Sequence, residues 1–244
     1  MSRATDRQLA GKTVLITGGT SGIGLATAIL ARDAGANVIV LGADPERTRE
    51  VARTHGFRDW RAADVAQLDA LEKALTSIPH VDHLVLLAGQ FIGGGVMSAS
   101  LESLRHIFEE RFWSVIHILR ILGDRLAGDA SVTFVSGELA DRPNAQGTAV
   151  LGAAISAVEF MARALSLELA PRRFNTVAPG PIDTPLFSKV LGEGRQAYFD
   201  ERTKKLPLKR FGTSEEVGSV AILLMTNGYI NGATLNVDGA SRFV

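Results

Sequence analysis

Cysteine is absent from this chain of 244 residues, and no sign of charge is in excess. Without cysteine there are no disulfides, no thiolate metal ligands and no cysteine nucleophile. Lys and Arg together number 26, and Asp and Glu together also number 26, so the formal net charge is zero. Surfaces for nucleic acids or anionic membranes need a basic excess. The composition therefore argues against nucleic acid and against an anionic membrane as the main partner.

Long apolar runs are also missing. None approaches the ~20 residues of a membrane helix, and residues 1–10 are polar, without the apolar core of a signal peptide. We therefore expect a soluble, cytoplasmic protein. A hydrophobic content of 46% with 21% charged residues is typical of a globular chain. The length favours one domain spanning residues 1–244.

Short apolar runs alternate with amphipathic stretches along the whole chain. Strands are predicted over residues 13–17, 37–41, a short run ending at Asp64, 83–87, 131–135, 175–178 and 233–237. Helices are predicted over residues 23–34, 46–54, 68–77, 101–126, 148–169, and from a capping box of Thr213 and Glu216 through Met225. This alternation predicts an α/β fold with a doubly wound parallel sheet of about seven strands and helices on both faces.

The least regular stretch is residues 179–209, which holds four prolines together with Gly192 and Gly194. It predicts a mobile flap over a site, centred on residues 186–209. Its apolar residues suggest an apolar ligand, and they are Leu186, Phe187, Val190, Leu191 and Phe199.

A glycine-rich turn is the strongest chemical signal. It joins the first strand to the first helix and places glycines at 18, 22 and 24. Residues without a Cβ allow a tight turn and let a pyrophosphate approach backbone N–H groups at a helix N-terminus. In this strand–turn–helix context the pattern predicts a dinucleotide site, and a purely structural turn is the alternative.

With that spacing, the sequence resembles the short-chain dehydrogenase/reductase family along essentially its whole length. The other stretches that carry the resemblance are Asp64-Val65, Ala88-Gly89, residues 179–184 (Pro-Gly-Pro-Ile-Asp-Thr) and residues 231–239. The resemblance implies a single Rossmann-type domain that binds NAD or NADP. The residues it places at the cofactor are Gly18, Thr20, Ser21, Gly22, Ile23, Gly24, Ala43, Arg47, Asp64, Val65, Ala88, Gly89, Pro179, Gly180, Ile182 and Thr184.

The choice between the two cofactors depends on the end of the second strand. An acid there favours NAD in the resembling family, and a basic residue at the next position favours NADP. Gly42 and Ala43 occupy these positions, and Asp44 comes one step late. Arg47 and Arg49 are nearby bases that can reach a phosphate, which favours NADP slightly; solvated helix charges are the alternative.

The catalytic positions depart from the family pattern. The family moves the substrate proton with a Tyr-x3-Lys unit, in which an ammonium lowers the tyrosine pKa. Aligned from downstream motifs, Leu151 and Ile155 hold these positions, and the chain's two tyrosines are Tyr198 and Tyr229. The family serine falls at Gly137 or, with a one-residue shift, at Ser136.

Other polar residues remain as candidates. Ser136 can polarise a carbonyl, and Arg111, at the family's asparagine position, can bind an anionic substrate or pair with Glu109 or Glu138. Further polar residues near the expected substrate are Glu138, Asp141, Asn144, Gln146 and Tyr198. His80 and His83 have no third ligand, so we predict a surface loop there and no metal site.

Three functions follow from this mixture. The first is an oxidoreductase that acts on a small carbonyl/alcohol pair by a non-standard mechanism. The second is a catalytically inactive nucleotide- or ligand-binding protein, or the partner subunit of an active homologue. The third is a non-redox enzyme, an isomerase or lyase, that reuses the pocket. Fold alone does not choose among them.

Two long apolar helices predict assembly. Residues 101–126 and 148–169 are apolar almost all round, which indicates burial on more than one side. In the resembling family the matching helices pack against a two-fold partner. We therefore expect a homodimer or homotetramer, and deep burial within one subunit is the alternative.

Overall fold

The computed structural model describes residues 7–87, 89, 93–186 and 191–244. In these residues a single sheet has seven strands, which are β1 Thr13–Thr17, β2 Asn37–Gly42, β3 Asp59–Ala62, β4 Val81–Leu86, β5 Leu126–Val135, β6 Arg173–Pro179 and β7 Thr234–Val237. All neighbouring pairs are parallel, in the order β3-β2-β1-β4-β5-β6-β7. The predicted seven-stranded parallel sheet is confirmed.

Helices cover both faces of this sheet. They are α1 Gly22–Asp33, α2 Pro45–His55, α3 Leu68–Leu75, α4 Leu101–Phe108, α5 Ser114–Leu122, α6 Ala149–Glu168, α7 Arg195–Lys205 and α8 Ser214–Thr226. One apolar core joins the sheet to α3, α5 and α6, and a second joins it to α1, α2 and α8. The strands are therefore apolar on both sides, because neither face of the sheet is left to solvent.

The switch point of the sheet lies between β1 and β4. From β1 the chain builds outward through β2 and β3, and it then returns to pair β4 on the other side of β1. Thr17 is opposite Leu41 of β2 and Leu86 of β4 at the carboxyl edge. Ligands of doubly wound sheets bind outside this edge at such a point, so the fold places the candidate site here.

The long helix predicted over 101–126 is divided in three. A π-helical segment, Glu109–Trp113, separates α4 from α5, and α5 ends at Leu122. Gly123, the residue after this end, has a φ of +51°. Glycine adopts this conformation without the steric strain that a Cβ would cause. A short 3-10 turn follows, and β5 begins at Leu126, five residues before the predicted strand start.

The irregular flap is a partly wrong prediction. Residues 192–194 form a 3-10 turn, and α7 occupies Arg195–Lys205. The four prolines lie outside α7, whose residues are helix formers supported by a Lys205–Glu201 ion pair at 2.6 Å. The prolines and glycines on either side of α7 led to the wrong prediction of an irregular segment over the helix itself. Phe187 and Val190, two of the predicted apolar flap residues, lie outside the described residues.

Two smaller predictions are corrected. Asp64 lies beyond β3, which ends at Ala62, and its carboxylate accepts a hydrogen bond from the Ala66 N–H at 3.0 Å. His83 lies in β4 and not in a surface loop, and its ring is buried with Nδ1 2.8 Å from Ser131 Oγ of β5. The apolar neighbours Val81 and Leu84 carried the strand signal at this position.

Among the described residues, α6 is the one helix that is long and apolar enough, by length and composition, to cross a membrane. Its inner face packs into the core through Val158 and Ala162. A core helix of a folded domain passes the same test, and the position of α6 against the sheet fits that interpretation.

Candidate functional site

The glycine-rich turn between β1 and α1 needs a glycine at each predicted position. Gly18 and Gly22 have φ values of +66° and +52°, which favour glycine. A Cβ on Gly24 would lie 2.2 Å from the carbonyl oxygen of Gly18. Ser21 is the N-cap of α1, and its side chain makes no capping hydrogen bond. The first turn of α1 therefore presents amide N–H groups of the kind that bind phosphate.

The segment after β6 closes over this turn. Thr184 contacts it directly, since a Cβ on Gly22 would lie 3.4 Å from the Thr184 Cβ and Cγ2. Ile23 and Ile182 belong to one apolar cluster. The structure thus brings together two segments that are about 160 residues apart in the sequence and that resemblance assigned to one cofactor.

Close backbone contacts also fix the β6 end of the site. Pro179 is the last residue of β6, and the Gly180 N–H donates to the Val237 carbonyl at 3.1 Å. A Cβ on Gly180 would lie 2.7 Å from Asp238 Cα. Glycine is therefore required where β6 and the chain after β7 approach each other.

The end of β2 has no room for the acid that favours NAD in the resembling family. A Cβ on Gly42 would lie 2.5 Å from Thr48 Oγ1 and 2.7 Å from Thr20 Cγ2. The next acid, Asp44, caps α2 by accepting the Arg47 N–H at 2.9 Å. Its carboxylate is thus engaged by the helix, while Ala43 is exposed beside it.

Two arginines follow on α2 with different partners. Arg47 reaches back to the glycine-rich turn, where Nη2 donates to the Thr20 carbonyl at 3.3 Å. Arg49 forms an ion pair with Glu46 on α2 itself. Of the two, Arg47 places its charge beside the predicted phosphate turn.

The remaining cofactor positions lie along the same edge. Val65 is buried in the main core, one residue from the exposed Asp64. The Leu87 N–H donates to Thr17 Oγ1 at 3.0 Å, which ties the end of β4 to β1. Gly89 follows with a φ of +132°. Ala88 lies outside the described residues.

Arg111 projects from the π-helical segment to the inner end of this edge. A Cβ on Gly89 would lie 3.1 Å from the Arg111 Cζ, so the guanidinium packs directly against Gly89. Arg111 lines a small cavity with Thr17, Leu86 and Val135, the ends of three neighbouring strands. Burial lowers the pKa of the Arg111 guanidinium, and the nearby Glu110 carboxylate opposes that shift.

Leu151 and Ile155 lie in an apolar cluster and not in a polar pocket. Each is 4% exposed, and both pack with Leu104, Ile107 and Ala154. A Cβ on Gly137 would lie 3.8 Å from the Ile155 Cδ1. The end of β5 therefore meets α6 at Ile155, and the Ile155 atoms that face it are apolar.

Ser136 is paired with an acid that the sequence analysis missed. Its Oγ donates to Glu159 Oε1 of α6 at 2.6 Å, and both side chains are buried. Burial raises the pKa of Glu159, Asp141 adds to that rise, and the Ser136 bond and Arg163 oppose it. The available signal was a carboxylate in the middle of a largely apolar helix, flanked by Val158 and Phe160.

The other loop candidates have structural partners. Glu138 accepts from Ser241 Oγ at 2.6 Å and from Arg202 Nη2 of α7 at 3.4 Å. It therefore joins the loop after β5 to α7 and to the chain end. Asn144 accepts from the Thr148 hydroxyl at 2.9 Å and from the Gln146 N–H. Tyr198 lies on α7 with its ring 6.4 Å from that of Phe211.

Comparison with known proteins identifies the family. The family model described as enoyl-(acyl carrier protein) reductase matches residues 18–240. A short-chain dehydrogenase/reductase of Acremonium sp, ucsE, is 30% identical, over 99% of this chain and 99% of its own. The chain belongs to the short-chain dehydrogenase/reductase family, which is a family of oxidoreductases.

Solved structures agree with this assignment. The MalC reductase/Diels–Alderase of Malbranchea aurantiaca superposes with a TM-score of 0.88 at 25% identity, covering 97% of this chain and 98% of its own. L-sorbose reductase of Gluconobacter frateurii, solved with NADPH and L-sorbose, gives a TM-score of 0.86 at 26% identity, covering 95% of this chain and 96% of its own. Relatives with this fold thus bind a nicotinamide cofactor.

Proposed function

We propose that this protein binds NADPH and reduces a small carbonyl compound without a Tyr-x3-Lys unit. The observation that carries the proposal is the cradle that Thr184 and Arg47 form around the glycine-rich turn. The turn keeps its required glycines, Thr184 lies against Gly22, and Arg47 places a charge beside Thr20. This cradle fits a dinucleotide pyrophosphate at the N-terminus of α1.

The cofactor, when bound, supplies a hydride to the substrate carbon. The chain must then place and protonate the substrate oxygen. Leu151 and Ile155 carry no proton donor, and their cluster fills the space between α4 and α6 with apolar side chains. Ser136, at the carboxyl end of β5, carries a hydroxyl that can donate to that oxygen. Arg111 adds a positive charge at the same edge and favours a substrate that carries a negative charge.

NADPH is preferred over NADH on the same geometry. Gly42 leaves no space for an acid that would hold a ribose diol, and Arg47 is placed to meet a 2′-phosphate. L-sorbose reductase, a relative that binds NADPH, lends support. We expect Arg47→Ala to weaken NADPH binding about tenfold, the value of one exposed charge-assisted contact, and to leave NADH binding nearly unchanged.

Titration calorimetry measures both affinities. Arg49→Ala is the matched control, because Arg49 lies two residues away on α2 but pairs with Glu46. Equal losses for the two cofactors in Arg47→Ala would contradict a role in phosphate recognition.

Reduction itself is tested by the loss of NADPH absorbance with a panel of ketones, neutral and carboxylate-bearing. Turnover that favours the carboxylate-bearing members supports the proposal and the role of Arg111. NADPH binding without turnover of any member contradicts it. A Leu151→Tyr, Ile155→Lys double variant shows in parallel whether restoring the family pair changes the rate, with a melting curve to verify folding.

A non-redox reaction in the same pocket is the second candidate. MalC is described as a reductase and a Diels–Alderase, and the apolar side chains of Leu151 and Ile155 suit the closing of carbon–carbon bonds better than proton transfer. This candidate predicts substrate conversion with no change in nicotinamide absorbance. A product assay by mass spectrometry beside the absorbance assay separates the two.

We further propose a cytoplasmic homodimer or homotetramer. The outer face of α6 supports it, since Phe160 is 67% and Leu167 82% exposed, seven residues apart on one stripe. Trp113, between α4 and α5, is 45% exposed. A second copy would cover these side chains.

A further inference from the structure

We propose that Glu159 holds the proton that Ser136 delivers to the substrate oxygen. This inference builds on the proposed reductase function and names the residue that replaces the missing proton source. Ser136 touches the substrate, and Glu159 acts through Ser136 as a positioning residue. Glu159 is not one of the catalytic residues of the family pattern, and the sequence alone does not predict a catalytic role for it.

The contact between the two side chains carries the proposal. Ser136 Oγ and Glu159 Oε1 are 2.6 Å apart, and the two residues are 8% and 9% exposed. Ser136 is held at the end of β5 by its N–H, which donates to the Val177 carbonyl of β6 at 3.0 Å. Glu159 lies in the middle of α6, so both partners sit on rigid elements. A hydrogen-bonded pair on such elements keeps one geometry through a reaction.

The location of the pair suits proton delivery. Ser136 follows Val135, which lines the edge cavity with Arg111 and Thr17. Glu159 lies one helical turn beyond Ile155, the position at which the family places its lysine. The acid is thus displaced by one turn from the lost ammonium, on the side of the serine.

Burial is the main reason that the pKa of Glu159 is raised, and the like charge of Asp141, from the loop after β5, adds to the rise. The hydrogen bond from Ser136 opposes it. Arg163, one turn further along α6, opposes the rise, but its guanidinium lies over the Phe160 ring at 5.9 Å from the centroid. A serine hydroxyl alone is a weak acid, and an adjacent carboxylic acid can restore its proton at once.

A hydride from the reduced nicotinamide cofactor bonds to the carbonyl carbon, and the electron pair of the C=O π bond moves to oxygen. When Glu159 is protonated, its carboxyl O–H donates to Ser136 Oγ across the same contact, and the Ser136 hydroxyl is free to donate to the substrate. The substrate oxygen then takes the proton of the Ser136 hydroxyl, and Ser136 Oγ takes the proton of the Glu159 carboxyl group. Solvent then returns one proton to the Glu159 carboxylate, so that each turnover consumes one hydride and one proton.

The first arm of the test needs neither cofactor nor substrate. A carboxyl group whose folded pKa is raised stabilises the fold below its unfolded pKa, and that stabilisation is lost as pH rises through the folded pKa. The Tm of Glu159→Gln should therefore rise relative to wild type as pH increases from 4 to 8. Glu168→Gln, an exposed acid on the same helix, should run parallel to wild type. If the Tm of Glu159→Gln depends on pH as that of the wild type does, the proposal that Glu159 holds a proton is overturned.

The second arm measures the pH dependence of ketone reduction. Glu159→Gln and Ser136→Ala should each lower kcat/KM by about 100-fold, with NADPH affinity unchanged. Glu159→Gln should also abolish the fall of the rate at high pH, and Glu159→Asp should restore part of the rate. Wild-type rates in both variants would overturn the proton transfer from Glu159 through Ser136, and the proposed reductase function would still stand. Absence of reduction by wild-type protein that binds NADPH overturns the function and the relay together.

Discussion

Ile155 and Glu159 lie one turn apart on α6, and both are buried, but their surroundings differ. Ile155 packs among Leu104, Ile107 and Ala154, while Glu159 bonds to Ser136. A carboxyl group is tolerated at Glu159 because a hydrogen-bond partner is present. A charged group at Ile155 would meet only apolar side chains.

Replacing Ile155 alone tests this difference. We expect Ile155→Lys to reduce the free energy of unfolding by about 3–5 kcal/mol, the typical effect of an uncompensated buried charge. Urea denaturation gives the value. Leu223→Lys is the control, since that side chain is 44% exposed on α8, and we expect a change of about 0.5 kcal/mol or less. Equal stabilities for the two variants would show that Ile155 faces a polar space.

Single residues of the candidate site could be predicted from the sequence, but hydrogen bonds between residues far apart in the chain could not. The glycines at 18, 22 and 24 were predictable, because a tight turn restricts its own residues locally. The Ser136–Glu159 bond joins residues 23 positions apart, and the Arg47–Thr20 bond joins residues 27 apart. Only the packing of α6 on β5, and of α2 beside the turn, brings these pairs together.

Among the elements, β4 and β5 share a buried polar pair of their own. His83 Nδ1 lies 2.8 Å from Ser131 Oγ, far from the carboxyl edge where the site lies. Burial is the main reason that the pKa of His83 is lowered to about 4. Asp82 and Asp129 oppose the shift, while Lys12 and Arg173 add to it.

This pair predicts loss of stability in acid. The unfolded chain binds the His83 proton near pH 6.5 and the folded chain near pH 4, so stability present above pH 6.5 is lost as pH falls between those values. The loss attributable to His83 is at most about 3 kcal/mol. His83→Gln should flatten this part of the unfolding profile, and His80→Gln, a half-exposed control, should keep it. A profile unchanged in His83→Gln would contradict the buried neutral ring.

The elements themselves were largely predictable. β1 has the predicted bounds, and the capping box of Thr213 and Glu216 opens α8 as expected. These features depend on local patterns of apolar, capping and glycine residues. The π-helical segment at Glu109–Trp113 and the helix α7 were missed, since the first depends on packing and the second lay in a proline-rich stretch.

For the whole molecule, the uncovered apolar stripe of α6 is the main consequence of the fold. The inner face of the helix fills the core, and the outer face carries Phe160 and Leu167. Exposed apolar stripes of this kind are characteristic of interfaces.

We expect Phe160→Glu with Leu167→Glu to convert an oligomer into monomers, because paired carboxylates would face each other across a two-fold axis. Sedimentation equilibrium measures the mass. Leu208→Glu, at a position 60% exposed outside α6, should leave the mass of the assembly unchanged. A monomeric wild-type protein would contradict the interface.

The binding of NADPH to the purified protein tests the central claim most directly. Thermal unfolding over a concentration series of NADPH and of NADH measures it, and ligand at ~100 times its dissociation constant should add about 2.7 kcal/mol of stability. We predict saturable stabilisation by both cofactors, stronger with NADPH and reduced for NADPH alone in Arg47→Ala. Folded protein whose Tm is unchanged by either cofactor would contradict the cofactor site, and with it the proposed reductase.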